Sequence, residues 1–412
     1  MNSGTLTWKQ TGFINETLIL TGYIMLKPLY VFGSGGMQLC DLFLAVGVLW
    51  ILIKNKFVIS FPQSCSKWLK WFFAFTIFVF VVNLAWFGYY LTYYRSVRTA
   101  FILSTLYYIY NFIAVLLTIY LMEKLGKDAV IRAVMNGCFF SVLVTFLGIL
   151  LHTDSQFRNT GFFNNPNQLG FYSIILLTFV CFFGEYIEKY KKWIIISVSV
   201  YAVVMSLSKA SFFSLFVLLF LYIISQKNQT RKQLIWKISM LVVIGTGLYL
   251  FIFGNLSFVT NNYVLRSLRY RIRNVAREND SSLGAGRGYY RIFEMGKHLI
   301  WGMGEGAYDR FSVMKGYETH STYASILVSY GLIGLVLSMV VVLKPLLKQK
   351  ESFRNLCYMS GIAVYCITHN GIRNTLVWII LSLLLFLKSQ SSPMSSELEA
   401  AYGKANLSND KG

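Results

Sequence analysis

Along most of this chain, apolar stretches alternate with short loops that carry Lys and Arg. A helix needs about 20 apolar residues to cross a hydrocarbon layer about 30 Å thick, and several of these stretches reach that length. No water is present there to satisfy backbone N–H and C=O groups, so each stretch must close its hydrogen bonds within itself as a helix. The sequence therefore predicts an all-α, polytopic integral membrane protein with about 12 transmembrane helices. The predicted spans are 14–32, 36–53, 71–91, 99–122, 133–151, 168–184, 193–207, 211–225, 235–253, 321–342, 356–368 and 375–387. A composition that is 56% hydrophobic and only 13% charged excludes an ordinary soluble domain. The first span is expected to remain as an anchor, because no cleavable signal precedes it.

The loops of one parity hold Lys54, Lys56, Lys67 and Lys70, then Lys124, Lys127 and Arg132, then Lys189, Lys191 and Lys192. The same series continues with Lys227, Arg231, Lys232 and Lys237, and with Lys344, Lys348, Lys350 and Arg354. Loops of the other parity hold only Arg95, Arg98, Arg158, Lys209 and Arg373 before the long passage is counted. Cations are retained on the cytoplasmic side, so both termini are predicted inside and the long polar passage outside. The predicted organisation is nine spans over 1–253, the outward passage over 254–320, three spans over 321–388, and a disordered tail over 389–412. The formal charge of +21 sits between spans, which points to anionic lipid head groups or a phosphate-bearing lipid and not to nucleic acid. The few outward cations are either ordinary exceptions or a set that converges on an anion.

Two charges are predicted inside the membrane, Lys27 and Asp41, at similar depth in a helical hairpin. An unpaired charge there costs about 2.5–3.5 kcal/mol. They are expected to pair with each other, a direct substrate role being the alternative. Cys40, Cys138, Cys181, Cys357 and Cys366 fall in apolar stretches and Cys65 in a basic loop, which suits small packing residues better than a disulfide framework.

The outward passage is where chemistry is expected. Arg266, Arg269, Arg273 and Arg277 recur at helical spacing, with Leu265, Leu268, Ile272 and Val275 toward the other side. That is the pattern of a helix lying in the interface, its guanidinium face meeting either anionic lipid or the phosphates of a substrate. A second amphipathic segment sets Tyr289, Ile292, Phe293, Gly296, Leu299 and Ile300 against Arg287, Arg291, Glu294 and Lys297. Arg287 and Arg291, one turn apart, can together hold a diphosphate, because guanidinium binds phosphate oxygens bidentately. The run Gly302-Met303-Gly304-Glu305-Gly306 follows no strand and is predicted to be a turn. Glu305, Asp309 and Glu318 form no recognisable metal-ligand pattern. His320 closes the passage; a histidine titrating near 6.5 is a proton acceptor near neutral pH, although an interfacial histidine is often polar trim.

In order along the chain stand Asn164-Asn165-Pro166-Asn167-Gln168, Ser206-Leu207-Ser208-Lys209-Ala210, Gly286-Arg287, the glycine run, His320-Ser321-Thr322-Tyr323 and Gly331-Leu332-Ile333-Gly334. Over residues 162–336 this order resembles the O-antigen ligase and O-antigen polymerase superfamily of bacterial envelope glycosyltransferases. The resemblance implies a metal-independent, cofactor-free membrane enzyme that uses an undecaprenyl-diphosphate-linked glycan as donor and works beside membrane lipids. A chain-length regulator is a further implied partner. By position, His320 and Arg287 match the family's catalytic residues, with Arg291 close enough in register to be confused with Arg287. Lys209 stands where the family carries arginine, and Ser321 where asparagine commonly follows the histidine. Lys209, Arg291, Arg273, Arg158 and Asn167 are the expected substrate-binding residues. A polymerase joining lipid-linked repeat units is favoured over a ligase delivering finished glycan to a lipid A core sugar. A transporter or flippase is the reading from another class, though no repeat relates the two halves.

Overall fold

The computed structural model describes residues 8–33, 36–89, 95–152, 158–226, 230–274, 289–307, 311, 319–347 and 351–389. Those residues are all-helical, with no strand among them. The helices are α1 (Trp8–Leu26), α2 (Leu39–Lys54), α3 (Gln63–Tyr89), α4 (Arg95–Leu125), α5 (Lys127–Leu151), α6 (Pro166–Phe183) and α7 (Lys189–Ser206). They continue with α8 (Lys209–Ser225), α9 (Arg231–Phe253), the short α10 (Ser257–Asn261), α11 (Tyr263–Arg273), α12 (Thr322–Leu347), α13 (Ser352–Thr368) and α14 (Thr375–Ser389). Each predicted span falls on a helix. Six of them, α3, α4, α5, α6, α9 and α12, have described portions long and apolar enough to cross a membrane. The tail from 390 onward lies outside the described residues.

Several boundaries move, and three of the shifts have a local cause or consequence. The first helix ends at Leu26, not at Phe32, because Pro28 disfavours the helical conformation at Lys27. The second starts at Leu39, where Gln38, almost fully buried, gathers the preceding loop by donating to the carbonyls of Phe32, Gly33 and Gly36. Cys65 is not in a loop; α3 begins at Gln63 and buries it. All six cysteines are free.

Lys27 and Asp41 pair at 3.4 Å, as their matched depth required. At the other end of the same hairpin, Glu16 accepts from Lys54 at 2.7 Å and Lys124 at 3.0 Å, joining α1, α2 and α4. The core is built on α6 and α14, whose side chains are buried nearly throughout their described lengths. By contrast, α9 buries no residue and leans on α8 and α11.

Among its described residues, the long polar passage departs from helix in two places. The expected second amphipathic helix is instead two pieces of 3-10 helix, Tyr289–Glu294 and Gly296–Leu299, interrupted where Gly296 takes φ +53°. The glycine run is a turn, as expected, with positive φ at Gly302, Gly304 and Gly306. It docks where α12 is broken at Gly331, which has φ +66° and ψ −167°. The break frees carbonyls of Val328 and Ser329, and the N–H groups of Met303 and Gly304 bond them at 2.8 Å each. A Cβ on Gly331 would stand 2.1 Å from the Ile300 carbonyl oxygen, and one on Gly302 2.3 Å from that of Ser329, so the backbones meet only through glycine.

Candidate active site

The helix ends near the long polar passage are tied together by side chains. Asn165 caps α6, its side chain accepting from the Gln168 N–H at 2.9 Å, and Pro166 occupies the first helical position. Leu207 ends α7 in the left-handed region, so the chain turns at once into α8, which Ser208 caps. Between these ends lies Arg158, donating to the Ser206 carbonyl at 3.0 Å and to Asn167 Oδ1 at 2.7 Å. Two of the expected substrate-binding residues, Arg158 and Asn167, are therefore direct partners. Lys209 is the first residue of α8 and is half-buried. Two helix N-termini with a lysine and an arginine beside them form a locally positive surface.

From Asn167 the contacts run toward His320. The Tyr365 hydroxyl donates to the Asn167 carbonyl at 3.0 Å, and the Tyr365 ring stacks on His369 at 4.6 Å between centroids. The His369 carbonyl in turn accepts from both the N–H and the hydroxyl of Thr322, at 3.2 and 3.0 Å. Ser321 donates to the Cys366 carbonyl. The start of α12 is thus pinned to the end of α13, and His320, immediately before it, is exposed.

On the other side of this junction is a cavity of about 390 Å³ whose wall includes Lys27, Gln168, Glu305, Thr319, Asn370 and Arg373. Arg373 pairs with Glu305 at 2.8 Å, and Tyr330 donates to the same carboxylate at 2.9 Å. The Glu305 N–H donates to Asn83, which also donates to Tyr330 and Thr105. Burial opposes the Arg373 charge, but Glu305, Tyr108 and Tyr330 around it together outweigh that and raise its pKa. The glycine turn is what carries Glu305 into this position.

The expected site is only partly covered by the described residues. Arg287 and Arg277 lie outside them, as does the side chain of Arg291. Arg273 is drawn to the end of α9, its Nε donating to the Ile252 carbonyl. Arg269 does the same more completely, donating to the carbonyls of Phe251 at 2.6 Å and Leu250 at 3.4 Å, and to that of Gly254. The stripe on α11 is therefore divided: Arg266 is exposed, and Arg269 and Arg273 satisfy the open end of a helix. Sequence reasoning gave no site role to Glu305, Arg373, Tyr365 or His369. The signal for Arg373 was its position as a cation in an outward loop, and for Glu305 its place inside a turn with three glycines. Among the described residues, no three His, Cys, Asp or Glu side chains group as metal ligands.

Residues 194–339 fit the family model described as O-antigen ligase. The matched stretch runs from α7 into α12 and includes Lys209, Arg273, Arg287, Arg291, Glu305 and His320. No curated protein matches the chain.

Proposed function

We propose, from the match of residues 194–339 to the O-antigen ligase family model, an O-antigen polymerase that joins undecaprenyl-diphosphate-linked repeat units at the periplasmic face of a bacterial inner membrane. It crosses the membrane about 12 times with both termini cytoplasmic. The observation that carries this reading is the convergence of the α6 and α8 N-termini, Arg158, Lys209 and the His320 junction, linked through Tyr365 and His369.

In the reaction, the acceptor hydroxyl attacks the anomeric carbon of the donor glycan while His320 takes the hydroxyl proton. The bond from that carbon to the diphosphate oxygen breaks, its electron pair leaving with undecaprenyl diphosphate. Arg287, Arg291 and Lys209 stabilise the departing charge, assisted by the two helix N-termini. A single displacement inverts the anomeric centre. Arg158 positions Asn167 and the α6 terminus beside this anion.

The description of the matching family favours a second reading, a ligase that transfers finished glycan to lipid A core. One gel separates them. A deletion strain whose lipopolysaccharide carries a single repeat unit indicates the polymerase. Lipopolysaccharide without any repeat, together with accumulated lipid-linked polymer, indicates the ligase. Normal lipopolysaccharide would overturn both.

A further inference from the structure

The cavity beside the His320 junction has a chemistry unlike that of the positive surface at the α6 and α8 termini. Its two cations are each already answered, Lys27 by Asp41 at 3.4 Å and Arg373 by Glu305 at 2.8 Å. With both cations already paired and Glu305 in the wall, a diphosphate entering this partly dehydrated space would face a desolvation penalty with no uncommitted counter-charge to offset it. An uncharged polyol does not meet it. Its hydroxyls both donate and accept, which matches a carboxylate, a guanidinium and an amide set in one wall. Phe163, Phe171, Tyr30 and Tyr107 supply aromatic surface to the same wall, and the volume suits a small ligand. Arg373 is part of the wall, and Glu305 engages only one terminal nitrogen of its guanidinium, so the fork has further N–H donors to offer a hydroxyl. Thr319, the neighbour of His320, is part of the wall, so a sugar held here lies alongside the proposed base.

We propose that this cavity is the acceptor-saccharide subsite: it takes an uncharged sugar of the acceptor glycan, with Arg373 and Glu305 binding its hydroxyls. The inference rests on the glycosyl-transfer reading and divides the substrate between two places. The diphosphate goes to the positive helix ends and the acceptor sugar goes to the neutral cavity.

The probe is the free repeat-unit oligosaccharide, released by mild acid from the lipid carrier of a strain lacking this chain; it has no diphosphate and cannot act as donor. Its binding to the purified full chain in detergent is measured calorimetrically. Wild type should bind it, and equimolar inorganic pyrophosphate should not displace it. Arg373→Ala should weaken binding at least tenfold, and Arg373→Lys should recover part of the loss. Ser325→Trp, which fills the cavity from a half-buried wall position without touching the ion pair, should also weaken it at least tenfold. If Arg373→Ala fails to fold, Ser325→Trp decides. No binding to wild type, displacement by pyrophosphate, or wild-type binding by a folded Ser325→Trp would each overturn the subsite. Binding as expected in a protein that transfers no glycan would instead leave the subsite standing and remove the reaction.

Discussion

Arg269 and Arg373 are the same side chain in two different settings. Arg269 donates to backbone carbonyls at the end of α9, where any cationic fork of the right reach would close the helix. Arg373 is held by the carboxylate of Glu305, which is itself held by Tyr330 and an N–H bond to Asn83, and it faces a cavity. The first arrangement commits the guanidinium to the fold. The second fixes the guanidinium while leaving a donor over, which is what a binding site requires.

The sharpest way to break this contrast is to remove one partner of the held pair. Arg373→Ala leaves Glu305 buried beside Tyr330 without its cation, and should cost on the order of 3 kcal/mol in stability as well as turnover. Glu305→Gln, which keeps a hydrogen-bond acceptor, should cost less stability; urea or thermal unfolding in detergent measures both. An equal loss from the two would contradict any share for the hydrogen-bond acceptor and leave charge alone holding the pair.

Next in size is the docking of the glycine turn. Gly331→Ala puts a Cβ against the Ile300 carbonyl at a residue with positive φ, so the turn and Glu305 should shift together. The backbone term alone is about 1–3 kcal/mol, and turnover should fall more than stability because Glu305 loses its place. Arg269→Ala should show the opposite pattern, losing about 1.5 kcal/mol of stability with turnover unchanged. A turnover defect there would erase the distinction between the two arginines.

The smallest effect concerns His298, which stands against Trp86 and Phe311. Burial, then the charge of Lys297, holds its pKa below the ordinary imidazole value. A lowered folded pKa means that this contact is fully present above about pH 6.5 and weakens as pH falls through the lower folded value. His298→Phe should flatten that part of the melting temperature against pH profile. An unchanged slope would assign it to another group.

Helix positions were legible because apolar length has one physical solution in a bilayer, and the Lys27–Asp41 pair because an isolated charge there is too costly. The turn at Gly302–Gly306 was legible from its glycines, but not its docking, since nothing local marks Gly331 as a break within an otherwise apolar helix. The 3-10 pieces were missed because helical spacing over 289–300 says nothing about the left-handed residue, Gly296, that divides them. Spacing places the arginine stripe of α11 on one face, meeting either lipid or phosphate. What splits it is the open end of α9, which is close in space and invisible to periodicity. Arg373 and Glu305 are far apart in sequence, and only the packing of α12 against the last loop brings them together.

Central to the proposed chemistry is His320 as the base of a glycosyl transfer. Purified protein should extend lipid-linked repeat units in detergent without any ion gradient, and His320→Ala, matched to wild type in melting temperature, should lose turnover by about 10²-fold or more. Wild-type turnover in a folded His320→Ala would contradict it.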